Sequence, residues 1–133
     1  MTIDVFLVED LKNVQSAMAQ LLQAAGDLRV VATVSTEAEA LAWVEQNVDG
    51  WQLAVIDLVL DQGSGMSVIA RCRRFGPAAK VVVFSNFVTP GIRKHCIQLG
   101  ADEAFEKNTE MQAFLDYCAS LSEAAQSRPA PAG

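Results

Sequence analysis

The chain has one histidine, three cysteines and ten basic residues among its 133 positions. Each shortage excludes something. A lone histidine, His95, cannot build a multi-histidine metal site or a histidine relay. Within the run Arg93-Lys94-His95 it reads as part of a solvated helix face. Cys72, Cys96 and Cys118 are odd in number and far apart, which fits neither a disulfide framework nor a zinc ligand pair. They read as core or half-buried helix residues. Ten cations against sixteen acids give a net charge of −6 and a pI near 4.6. That balance opposes binding to a phosphate backbone, so direct contact with nucleic acid is not expected. No stretch reaches the roughly 18 apolar residues of a membrane span. The segment Met1 to Asp10 has no basic region ahead of its short apolar run, so no signal peptide is expected. What remains is one acidic, soluble domain over residues 1–124, with a cytoplasmic location expected. A chain of this size buries roughly 65–70% of its unfolded surface. Residues 125–133, which include Arg128-Pro-Ala-Pro-Ala-Gly133, read as a disordered tail or the start of a linker.

What is present is a rhythm. Gly26, Gly50, Gly76 and Gly100 each follow a stretch readable as a helix. Between them lie short apolar runs rich in β-branched residues: Ile3–Val8, Val30–Val34, Leu53–Ile56 and Val81–Phe84. Three are nearly continuous apolar blocks, as in strands buried on both faces of a parallel sheet. The second is weaker, as an edge strand would be. A fifth strand at Glu103–Glu106 is argued from position, because its periodicity is poor. Thr36 with Glu39, and Thr109 with Gln112, have capping-box spacing, and Thr89-Pro90 reads as a helix cap followed by a first-turn proline. Trp43 and Trp51 read as packing residues, and Arg71, Arg73 and Arg74 as a solvated basic face. Alternating strands and helices predict an α/β fold, a doubly wound parallel sheet with helices on both faces.

In such sheets sites form beyond the carboxyl ends of the strands. The first strand ends in Glu9-Asp10, the third in Asp57, the fourth in Ser85 and the fifth in Lys107. Asp10 also has a second reading, as a cap on the first helix. Three carboxylates, a hydroxyl and an amine would thus meet at one edge of the sheet. Converging carboxylates repel one another and call for protons or a hard cation. Magnesium suits oxygen ligands, and a lysine and a hydroxyl beside it suit a phosphoryl group. Singly, each of these residues has a structural reading. Together they form a constellation for phosphoryl transfer.

These residues resemble the receiver domain of bacterial two-component response regulators over about residues 3–122. The match consists of Glu9-Asp10, Asp57 with Gly65, Ser85 and Lys107. The resemblance implies a flavodoxin-like, five-stranded parallel sheet of order 2-1-3-4-5, an order that the chemotaxis receivers exemplify. It implies that Asp57 accepts a phosphoryl group from a sensor histidine kinase or a histidine phosphotransfer protein. Mg²⁺ would be held by Glu9, Asp10, Asp57 and the main-chain carbonyl of Val59. Lys107 would pair with the acceptor carboxylate and then with phosphoryl oxygens. Ser85 would donate to the phosphoryl group and move towards it. That movement would shift a face made by the fourth helix, fifth strand and fifth helix, which engages a downstream protein or a second copy. A phosphoaccepting signalling domain is implied rather than an enzyme, with at most slow self-dephosphorylation.

The chain also departs from the family pattern. Ala104 stands where the family carries an aromatic, and Phe105 would point to the opposite face. Phe84 and Phe87 are the candidate substitutes for that aromatic. Asn108 follows Lys107 where many members have proline, and Asp61-Gln62 replace another common proline. Val59 and Phe87 occupy the two positions that tune hydrolysis in the family. Neither can orient a water, so slow loss of the phosphoryl group is expected. A dehalogenase-type aspartyl phosphotransferase would need an acid where Val59 stands. A phosphorylation-independent pseudo-receiver adaptor is the alternative function, suggested by Ala104.

Overall fold

The computed structural model describes residues 1–127 of the chain. Five strands alternate with five helices. The strands are β1 (Ile3–Val8), β2 (Leu28–Val34), β3 (Leu53–Ile56), β4 (Lys80–Ser85) and β5 (Glu103–Glu106). The helices are α1 (Lys12–Ala25), α2 (Glu37–Gln46), α3 (Met66–Phe75), α4 (Pro90–Leu99) and α5 (Met111–Ser127). All strand pairings are parallel and the spatial order is β2-β1-β3-β4-β5. Among the described residues no helix is long and apolar enough to cross a membrane.

The alternation of side chains along a strand divides the interior in two. Phe6, Val8, Ala54, Ile56, Val81 and Val83 face one core, shared with α2, α3 and α4. Val5, Leu7, Leu53, Val55, Val82 and Phe84 face the other, shared with α1 and α5. Every residue of β3 is buried, whereas β2 alternates, as its edge position requires. In β5 only the central Ala104 and Phe105 are buried, which leaves too short a pattern for periodicity to reveal. Trp51 is buried and Trp43 stacks on Phe6 with ring centroids 4.2 Å apart. All three cysteines are buried and free.

The helix starts divide into those that match their signals and those that do not. The Thr36 side chain accepts from the Glu39 N–H at 3.2 Å, and Thr89 does the same for Ile92 at 3.2 Å ahead of Pro90. The Thr109–Gln112 box does not form. The Thr109 hydroxyl donates backwards to Glu106 at 2.8 Å, and Gln112 donates to Asp116 at 2.9 Å. The strand-to-helix turn competes successfully for the threonine. Asp10 does not cap α1, whose cap residue is Leu11 with no side-chain bond.

Two other expectations change. Arg73 is not on a solvated face. Its guanidinium donates to the carbonyls of Gly100, Pro77 and Ala79 at 2.9, 3.1 and 2.8 Å, and to Asp102 at 2.6 Å. It therefore ties α3 to the ends of two loops, while Arg71 pairs with Glu45. Helix α5 also continues past residue 124 to Ser127. Gln126 donates to the Met1 carbonyl at 2.7 Å, so the expected tail does not begin at 125. The remainder of that segment, 128–133, lies outside the described residues.

Candidate functional site

Asp57 follows β3 at the centre of the sheet and is held there by its own N–H, which donates to the Val8 carbonyl at 3.0 Å. Only 8% of the residue is exposed. The last residue of β4 and the first residue after β5 flank it. Ser85, fully buried, donates its hydroxyl to Asp57 Oδ1 at 2.7 Å. Lys107 donates from Nζ to Asp57 Oδ2 at 2.9 Å and to Glu9 Oε1 at 2.5 Å. The main chains are joined as well, because the Lys107 N–H donates to the Ser85 carbonyl at 3.0 Å. Each oxygen of Asp57 thus has its own side-chain donor, delivered by a different strand.

Glu9 is almost fully buried, and Asp10 beside it is half-buried. Carboxylate oxygens of Glu9, Asp10 and Asp57 lie within 4.8 Å of one another. Burial pushes the Glu9 carboxyl above its usual range, against the hydrogen bond from Lys107, which pulls it down; the hydrogen bond with Asp10 pushes it further up. Burial alone would lower the Lys107 ammonium, but its bonds to Glu9 and Asp57 win and hold it above its ordinary value. Three carboxylates face one ammonium, an excess of two negative charges when all are ionised. An all-oxygen donor set with that excess fits a hard divalent cation.

The loop after Asp57 is shaped by close approach. A Cβ on Gly65 would lie 2.1 Å from the Asp57 carbonyl oxygen and 2.8 Å from Ile56 Cγ2, so no side chain fits there. The Gly65 N–H donates to the Leu58 carbonyl at 3.0 Å, closing the loop, and Val59 pairs antiparallel with Ser64. The Val59 N–H points back to Asp57 Oδ1 at 3.3 Å. Val59 and Phe87 are 50% and 56% exposed, leaving apolar side chains in solvent in the two loops beside the acid.

Phe84 does not take the place that Ala104 leaves. Phe84 stacks on Phe114 of α5 with centroids 4.3 Å apart, on the opposite side of the sheet from Ala104. Phe105 belongs to that opposite side too, edge-on to Phe114. Instead the Arg93 guanidinium on α4 donates to the Ala104 carbonyl and to Glu110 Oε1, which also accepts from the Glu106 N–H at 3.0 Å.

Sequence reasoning passed over three residues. Gln15 donates to the Glu9 carbonyl at 2.5 Å and holds the acidic pair from α1. Arg93 reads from sequence as part of a solvated face, and nothing in the sequence around Glu37 marks it. No spacing could have revealed them, because their targets are mainly main-chain groups, which every residue carries.

The fold is an open parallel α/β sheet with a buried aspartate, an acid pair, a hydroxyl and a lysine gathered at its carboxyl edge. Residues 5–119 match the family model of the response regulator receiver domain, and the chain belongs to that family. The receiver domain is a signalling domain of two-component systems. Among curated relatives, the chain is 29% identical over 108 residues to a cyclic di-GMP phosphodiesterase of Thermotoga maritima, covering 81% of this chain and 28% of that protein. It is 25% identical over 115 residues to an uncharacterised transcriptional regulatory protein of Bacillus subtilis, covering 86% of this chain and 56% of that one. It therefore spans well under two thirds of either relative. A solved complex of CheX with CheY, BeF₃ and Mg²⁺ from Borrelia burgdorferi matches with a TM-score of 0.79 at 17% identity, covering 90% of this chain and 88% of that one. A Burkholderia pseudomallei response regulator with a phosphorylated aspartic acid and a calcium ion matches at 0.73 and 20%, covering 97% and 75%. These likenesses establish the CheY-like, flavodoxin-type fold.

Proposed function

We propose that this chain is a phosphoaccepting switch in which Asp57 takes a phosphoryl group from a phosphohistidine. The donor would be a sensor histidine kinase or a histidine phosphotransfer protein. One observation carries the reading: Ser85 and Lys107 each donate to a different oxygen of the same buried carboxylate. An Asp57 oxygen attacks phosphorus, the P–N bond to the imidazole breaks, and the histidine leaves with its electron pair and takes up a proton. Negative charge then moves from the carboxylate to the phosphoryl oxygens. Lys107 and Ser85 stand at hydrogen-bond distance from the starting carboxylate and can follow that charge outwards. Lys107 stays cationic for this task, since its carboxylate neighbours hold its pKa up. Glu9, Asp10, Asp57 and the main-chain carbonyl of Val59 would hold Mg²⁺, which supplies positive charge that lets an anionic phosphoryl group approach an acidic cluster.

Movement of Ser85 towards the phosphoryl group would release its present bond and disturb the β4–α4 segment. The α4–β5–α5 face beyond it is the proposed contact for a downstream protein or a second copy of the chain. Val59 and Phe87 flank the acceptor without a group to orient water, which favours a long-lived phosphoryl group.

Ala104 favours a second reading, a pseudo-receiver that binds its partner without phosphorylation. Exposing the protein to acetyl phosphate and Mg²⁺ and measuring intact mass separates the two. The expected result is a gain of one phosphoryl group in the wild type and none in Asp57→Asn. No Asp57-dependent gain of a phosphoryl group would favour the adaptor.

A further inference from the structure

Glu37, the first residue of α2, is distant in sequence from the acidic site and touches none of its side chains. It nevertheless grips the loop that leaves Asp57. Its carboxylate accepts from the Ser64 N–H at 2.7 Å and from the Ser67 hydroxyl at 2.8 Å. Its own N–H donates to the Gln62 carbonyl at 3.0 Å, and the neighbouring Thr36 forms a parallel bridge with Gln62. Ser64 in turn pairs with Val59 across the loop. A connected path therefore runs from Glu37 through Ser64 to the main chain of Val59, and from the Val59 N–H to Asp57 Oδ1.

Gly63 shows how closely the carboxylate is fitted. Its φ of +94° is a left-handed conformation, and a Cβ there would lie 2.5 Å from both Cβ and Oε1 of Glu37. The loop is thus built around the glutamate at a position where any side chain would displace it. The bonds from Ser64 and Ser67 also hold the Glu37 carboxyl below its usual range, so it remains an acceptor at neutral pH.

From this we infer that Glu37 is a positioning residue that fixes the Val59 main chain beside the acidic cluster and so sets the affinity of that cluster for a divalent cation. The inference rests on the reading of Glu9, Asp10 and Asp57 as a cation site. Positioning groups around metal ligands typically change affinity by 10–100-fold when removed.

Titration of Mg²⁺ alone, followed through the amide resonances of residues 57–65, tests it. Glu37→Ala is expected to weaken binding by about tenfold, with Glu37→Gln, which keeps one acceptor oxygen, recovering to within about threefold. Gly63→Ala should imitate Glu37→Ala, because it displaces an intact carboxylate. In metal-free Glu37→Ala, loop amides should lose hydrogen-exchange protection. Val44→Ala places a cavity on the same helix, lowers thermal stability, and should leave Mg²⁺ affinity within about twofold, separating positioning from general loosening. If the wild type binds Mg²⁺ and Glu37→Ala binds it equally well, the inference fails alone. If the wild type binds no Mg²⁺ at these residues, the cation reading fails and takes the inference with it.

Discussion

On one flank of Asp57 a carboxylate from α2 holds the β3–α3 loop by accepting from a main-chain N–H and a hydroxyl. On the other flank a guanidinium from α4 holds β5 and the start of α5, through the Ala104 carbonyl and Glu110. The first grip uses neutral partners and keeps one loop in one shape. The second includes an ion pair whose side chains are about one third exposed and joins three elements at once. A carboxylate's short hydrogen bonds to neutral donors respond less to salt than an exposed pair of opposite charges, which is screened by it. The loop side is therefore built for constancy. The α4–β5–α5 side, where a partner is proposed to bind, is closed by a bond that a charged partner can exchange.

Substitutions sharpen this contrast, beginning with the largest effect. Gly65→Ala forces a Cβ into the Asp57 carbonyl, a main-chain atom that cannot rotate away. A loss of about 3 kcal/mol is expected from overpacking of this kind, read from urea unfolding. A loss below about 0.5 kcal/mol would show the loop to be far more pliant than a fixed platform.

Arg93→Met should cost about 1 kcal/mol, since its ion pair is partly exposed and screened. Hydrogen exchange should speed up in α4 and β5 but not in residues 58–65. Raising NaCl to about 1 M should narrow the stability gap between Arg93→Met and wild type, and change the gap for Glu37→Ala less. Equal salt sensitivity on both flanks would erase the distinction.

Acid should act on both sides. Glu110 is held below its ordinary value of 4.5, first by the Glu106 N–H and then by Arg93. Glu37 is likewise lowered, first by the Ser64 N–H. For a carboxylate lowered on folding, the stabilisation is complete above the unfolded value and is lost as pH falls through the folded one. Glu110→Gln should therefore destabilise at neutral pH by a small amount and flatten the decline below about pH 4.5. Urea midpoints measured at neutral pH and near pH 3.5 check this, and an unchanged slope would contradict it.

The same contrast explains what could be read from the sequence. β1, β3 and β4 were legible because central parallel strands are apolar on both faces. β5 was legible only from its position in the alternation, because just two of its residues are buried and its pattern is too short to show a period. Glu9, Asp10, Asp57 and Ser85 end or follow apolar strands, where a polar side chain needs a reason, and Lys107 joined them because it follows the fifth strand at the same edge. Glu37 and Arg93 begin or ride on helices, where such residues are ordinary. Their significance lies in which main-chain groups the fold brings beside them, and that depends on the folded path. The Thr109–Gln112 spacing misled for the complementary reason: the motif was local, but Glu106 at the end of β5 competed for the same hydroxyl.

The bond between Gln126 and Met1 has a practical consequence for engineering. The amino terminus and the end of α5 meet beside the start of β1, about 20 Å along that strand from the acids that follow it. A short peptide joining the two ends would let the chain be reopened elsewhere, making circular permutation a direct way to attach a fluorescent reporter beside α4. Fusions at Met1 or after Ser127, by contrast, would leave the acidic edge uncovered.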